Sequence, residues 1–173
     1  IFIQFSWKSV LIATSSLALT GGLLMLLFVK NGPFRKPSTT FDVSICFHLF
    51  KNINFRKAAF GYFGHMWELY TFWAFVPILL ITYQNLHSEI TFNISILSFV
   101  IISSGSISCV IGGYISQKIG VKKTAFILLL LSCICCIAAP FLFQVTNKNL
   151  FIAFLLFWGM VVIADSPLFS TLV

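Results

Sequence analysis

Five runs of roughly 20 mostly apolar residues constrain this chain more than any other feature, each long enough to cross hydrocarbon as a helix. They fall at 9–29, 58–82, 93–116, 124–143 and 150–173. Of the 173 residues, 59% are hydrophobic and only 9% are charged. A soluble domain carries about 25% charged residues, so this chain lacks the polar surface to cover a globule in water. Lipid is its expected solvent, and a chain in lipid must satisfy its own backbone hydrogen bonds, as helices or as a closed barrel. Barrel strands alternate in polarity over about 10 residues. Runs such as AFILLLLSCICCIAA do not alternate. The expectation is an all-α integral membrane protein, a polytopic bundle of about five transmembrane helices. The first run is too long for a cleaved signal peptide, and no small-residue cleavage site precedes the basic stretch after it.

Basic residues set the orientation. The link 30–57 holds Lys30, Arg35, Lys36, Lys51, Arg56 and Lys57, and the link after the third run holds Lys118, Lys122 and Lys123. The links on the opposite side, 83–92 and 144–149, hold Lys148 alone. Basic loops favour the cytoplasm, so 30–57 and 117–123 are expected there. The net charge of +7 is then chiefly a topology signal. It suits attraction to anionic lipid headgroups, and nucleic acid is not an expected partner.

The chain begins with Ile and ends within an apolar run, and it reads as an internal piece of a larger membrane protein. In the long link, NGPFRKPST is a helix-stopping cluster. Phe41, Ile45 and Leu49 are spaced for a short surface helix that Asp42 would cap. Small residues in SSGSISCVIGG, 103–113, and in ALTGG, 18–22, favour close helix approach. Pro140 is expected to end the fourth run. The five cysteines, Cys46, Cys109, Cys133, Cys135 and Cys136, lack a metal-knuckle spacing and read as small packing residues.

Candidate chemistry rests on very few groups. Of four acids, Asp42 and Glu89 lie in links, while Glu68 and Asp165 lie inside runs. A charge at mid-bilayer costs about 2.5–3.5 kcal/mol on insertion scales, so such groups face a bundle interior or a water-filled cavity. Glu68 lies about ten residues, or about 15 Å, into its run. On a helix, Gly61, His65, Glu68 and Phe72 share a face with Tyr62 and Leu69 at its margin, and residues three apart can touch. Histidine takes up and releases protons near neutral pH, so His65 and Glu68 read as a proton site. The competing reading is a satisfied polar pair that holds helices together; for Asp165, Ser166 and a kink at Pro167 offer local partners. The H-x-x-E spacing lacks the second motif that a di-metal bundle needs. No G-x-S-x-G elbow or phosphate-binding Gly-Lys-Ser/Thr loop is present, so neither an enzyme nor a cofactor or metal is expected. A channel would need polar residues along several helices, and 124–143 has almost none.

The turn GYISQKIGVKK, residues 113–123, resembles the signature turn G-x-x-x-D-[RK]-x-G-[RK]-[RK] of the major facilitator superfamily of secondary transporters. Gln117 stands at its acid position and Val121 at one basic position. GYFGHMWELY also resembles a bacterial subset of that family. The resemblance covers the whole chain and implies the sixth to tenth helices. Residues 1–29 would close the N-terminal bundle, 30–57 would link the bundles, and 58–173 would form part of the C-terminal bundle. Glu68 and Asp165 would then lie on the seventh and tenth helices, which line the cavity in that family. The implied function is secondary active transport of a small solute by alternating access, proton-coupled, in a bacterial inner membrane. His65, Glu68 and Asp165 would be the coupling or substrate groups. Phe72, Trp158 and Tyr62 would stand beside them, with Phe72 and Trp158 contacting the solute. Gly113, Gln117, Lys118, Gly120, Lys122 and Lys123 would form the conformational turn. The expected partners are the solute, protons, the lipid bilayer and the rest of the polypeptide. The alternative is a non-transporting membrane receptor or scaffold on a transporter-like fold.

Overall fold

The computed structural model describes residues 6–29 and 48–172. Most of the long link, including Asp42, Cys46 and the greater part of the expected surface helix, lies outside the described residues. The chain divides into two units, Ile1–Asp42 and Val43–Val173.

The described part of the first unit is one helix, α1 (Trp7–Phe28), exposed along its length. Three of its hydroxyls are tied back to its own carbonyls: Thr14 donates to Val10 at 3.0 Å, Ser16 to Ile12 at 2.8 Å and Thr20 to Ser16 at 2.7 Å. Such bonds let a polar side chain sit on a helix surrounded by hydrocarbon.

The second unit contains α2 (Ile53–Leu86), α3 (Ile94–Ile119), α4 (Val121–Leu142), α5 (Lys148–Ala164) and α6 (Ser166–Leu172). Among the described residues there is no strand. Five helical stretches, with α5 and α6 counted as one, are long and apolar enough to cross a membrane. α2 exceeds the expected 58–82 at both ends. Its 34 residues span about 51 Å at 1.5 Å per residue, well beyond a hydrocarbon core of about 30 Å. Its start is fixed by Asn52, whose side chain accepts from the Asn54 N–H at 2.9 Å. Asn93 caps α3 and Asn147 caps α5 in the same way.

Lipid is as apolar as a leucine side chain, so helices associate in it through close packing and hydrogen bonds. The closest pair is α3 with α5. α3 buries Ser98, Ile101, Gly105, Ser108, Gly112 and Ser116, a stripe at helical spacing in which all but Ile101 are small. A Cβ at Gly112 would lie 3.0 Å from the Ala164 carbonyl oxygen, and one at Gly159 of α5 would lie 2.9 Å from that of Ile101. Gly105 faces Ile163 with no room for a methyl group. α2 buries Leu69, Phe72, Val76, Leu80 and Tyr83 against this pair. At the end away from Gly120, Tyr83 stacks on Phe151 at 3.9 Å and donates its hydroxyl to the Val145 carbonyl at 2.6 Å.

Two helix ends depart from expectation. Pro140 does not end α4, which runs on to Leu142; a proline removes one intrahelical bond but not the turns after it. The fifth run breaks at Asp165, two residues before Pro167, and resumes as α6. Pro167 has no N–H to give the Ile163 carbonyl four residues back, and the Cys109 thiol of α3 reaches that oxygen at 3.4 Å.

Candidate functional site

The break between α5 and α6 carries the first half of the site. Asp165 has left the helix (φ −89°, ψ −11°), and together with Ser166 it meets α2 at His65. His65 Nδ1 lies 3.1 Å from Asp165 Oδ1, and both residues are 1% exposed. The two atoms approach closely without the alignment of a hydrogen bond. His65 Nε2 lies 2.8 Å from Ser166 Oγ. The imidazole stacks on Phe169 of α6, with ring centroids 5.4 Å apart and an interplanar angle of 19°. A proton on Nδ1 faces the Asp165 carboxylate. A second, on Nε2, makes Ser166 an acceptor where it would otherwise donate. His65 thus ties α2 to both the α5–α6 break and the start of α6.

The second half lies one helical turn further along α2. Half-buried Glu68 accepts a hydrogen bond from Ser132 of α4. Ser132 Oγ in turn accepts from the Trp158 indole N–H of α5 at 3.2 Å. The Trp158 ring lies 5.1 Å from that of Phe72. Three helices are thus joined through one buried hydroxyl. Ser132 is the residue that sequence reasoning missed; its signal was a lone hydroxyl in the middle of an otherwise apolar run.

The sequence places His65 beside Glu68, but the structure gives each its own partner from another helix. Among the described residues no hydrogen bond joins the two. Phe72 is 5% exposed and packed in the main core. Tyr62 packs away from Glu68, in the smaller cluster of Ala125, Leu168 and Phe169. Among the described residues, no three His, Cys, Asp or Glu side chains converge as metal ligands. Two surface crevices are lined by other residues: one by Phe63, Trp67 and Tyr70 along α2, the other at the Gly120 end of the bundle.

The turn 113–123 is tight. Gly120 alone joins α3 to α4, at φ +93° and ψ 144°, a conformation close to one that only glycine adopts readily. Gln117, Lys118, Lys122 and Lys123 are exposed. Nothing lies within 4 Å of a Cβ built at Gly113 or Gly120, so the glycine at 120 serves the backbone angle rather than a close contact.

No curated protein and no solved structure matches the chain. A family model described as Major Facilitator Superfamily matches residues 1–173. With its membrane-length helices, the chain belongs to the major facilitator superfamily, a family of membrane transporters.

Proposed function

We propose that the chain is part of a secondary active transporter that moves a small solute by alternating access, coupled to protons at His65, Asp165 and Glu68. The observation that carries this reading is the distribution of the two intramembrane acids. Each is held across a helix interface by a partner that can exchange a proton or a hydrogen bond, Asp165 by His65 and Glu68 by Ser132. Intramembrane ionisable groups are costly and mark proton or substrate pathways. Protonating Asp165 would remove the attraction between α2 and the α5–α6 break, and protonating Glu68 would turn an acceptor into a donor facing Ser132. In this reading α1 closes a first bundle and residues 58–173 belong to a second. The links 30–57 and 117–123 face the cytoplasm of a bacterial cell, and no enzymatic step is assigned. Phe72 and Trp158 would contact the solute once the bundle opens.

The test uses the full-length protein without its native cysteines and with single cysteines at 65, 68, 72 and 165. Each is probed with a membrane-impermeant thiol reagent from either side. Labelling whose sidedness changes with pH supports a water-filled, alternating cavity. Protection of all four positions at every pH supports the second reading, a non-transporting receptor or scaffold. The burial of His65 and Asp165 favours that second reading.

A further inference from the structure

We propose that the crevice at the Gly120 end of the bundle binds an anionic phospholipid, with Lys57 and Lys122 on its headgroup phosphate. This goes beyond the transport reading and does not depend on it. The crevice holds about 430 Å³ and lies between the first turns of α2, the first turns of α4 and the end of α6. Its polar lining is Asn54, Lys57 and Lys122; the remainder includes Ala58, Ala125, Phe126, Leu129 and Phe169. A charged rim over an apolar slot matches a molecule with an anionic head and a hydrocarbon tail.

Charge complementarity selects the head. Lys51, Arg56, Lys57, Lys118, Lys122 and Lys123 all lie at this end of the bundle, near the starts of α2 and α4 and the end of α3. Among the described residues the acids are Glu68, Glu89 and Asp165, and none lines the crevice. Basic pockets between membrane helices hold anionic headgroups, and the positive ends of α2 and α4 point the same way. A free phosphate would use the lysines and leave the slot open to lipid tails. A phospholipid fills both parts. The inner wall is Phe169, whose ring also stacks on His65, so an occupant would touch the side chain that supports the buried pair.

The test reconstitutes the full-length protein in phosphatidylcholine vesicles with a minor fraction of phosphatidylglycerol, and counts co-purified lipid by mass spectrometry. We expect phosphatidylglycerol to be enriched on the wild type. K57Q/K122Q should abolish the enrichment, and K57R/K122R should retain it. K118Q/K123Q, at the same end but off the crevice, should keep it. Ala58→Trp, at a partly exposed position of the slot, fills it and leaves both lysines, and should lose the enrichment. Undiminished enrichment in K57Q/K122Q overturns the proposal. Equal loss in K118Q/K123Q also overturns it, in favour of diffuse surface charge. Enrichment that survives Ala58→Trp but is displaced by inorganic phosphate overturns the lipid in favour of a free anion.

Discussion

His65 and Asp165 stand a hundred residues apart in the chain, yet Nδ1 of one lies 3.1 Å from Oδ1 of the other, closed from solvent on both sides. Removing one partner strands the other. Asp165→Ala or His65→Ala should each cost about 3–5 kcal/mol, the range for breaking a buried pair. The double variant should cost less than the sum of the two. Thermal unfolding of the full-length protein in detergent, read as a double-mutant cycle, checks this. Additive costs would show that the two side chains act independently.

Ser132 serves two partners with one hydroxyl. Ser132→Ala leaves the Glu68 carboxylate and the Trp158 N–H without it, at about 1–3 kcal/mol for each buried group left unsatisfied. Trp158→Phe keeps the ring contact with Phe72 and loses only the N–H, so it should cost less. Comparing the two unfolding midpoints decides. A cost for Trp158→Phe as large as that for Ser132→Ala would assign the stability to the indole rather than to the hydroxyl.

Gly159 is a site of close approach. Its absent Cβ would sit 2.9 Å from the Ile101 carbonyl oxygen and 3.2 Å from Ile101 Cγ2, and backbone cannot step aside as a flexible side chain can. Gly159→Ala should therefore cost about 1–3 kcal/mol, as overpacking does. Gly64→Ala meets open space and should leave the folded yield unchanged. Expression and monodispersity of the two variants side by side make the comparison.

Gly120 is constrained by angle alone. Gly120→Ala should cost about 1–3 kcal/mol for a side chain forced into a region reserved for glycine, while Gly113→Ala, inside a regular helix with free space around it, should be silent. Folded yield after membrane insertion reads both, and equal behaviour of the two would place the importance of the turn elsewhere.

The break in the fifth run shows how far local reasoning reaches. Pro167 predicts a distortion close by, because its missing N–H acts on the same helix. The partners that the break meets are His65, opposite the Asp165 carboxylate, and the Cys109 thiol at the Ile163 carbonyl. Both come from other helices. Ser132 makes the same point, for nothing within 124–143 says that its hydroxyl will meet Glu68 of α2 and Trp158 of α5.

The sequence by itself determined that the chain is a membrane bundle, which runs are long and apolar enough to cross, where the tight turn lies and which two acids sit in the apolar runs. All of these follow from run length, charge placement and backbone limits, which act within a few residues of one another. Only the tertiary structure decided the partners: His65 with Asp165, Glu68 with Ser132 and Trp158, and Lys57 with Lys122 at a shared crevice. Such pairings depend on how helices rotate and slide against each other in lipid. Steric fit at Gly105, Gly112 and Gly159 sets that register, and no periodicity along one helix encodes the face of another.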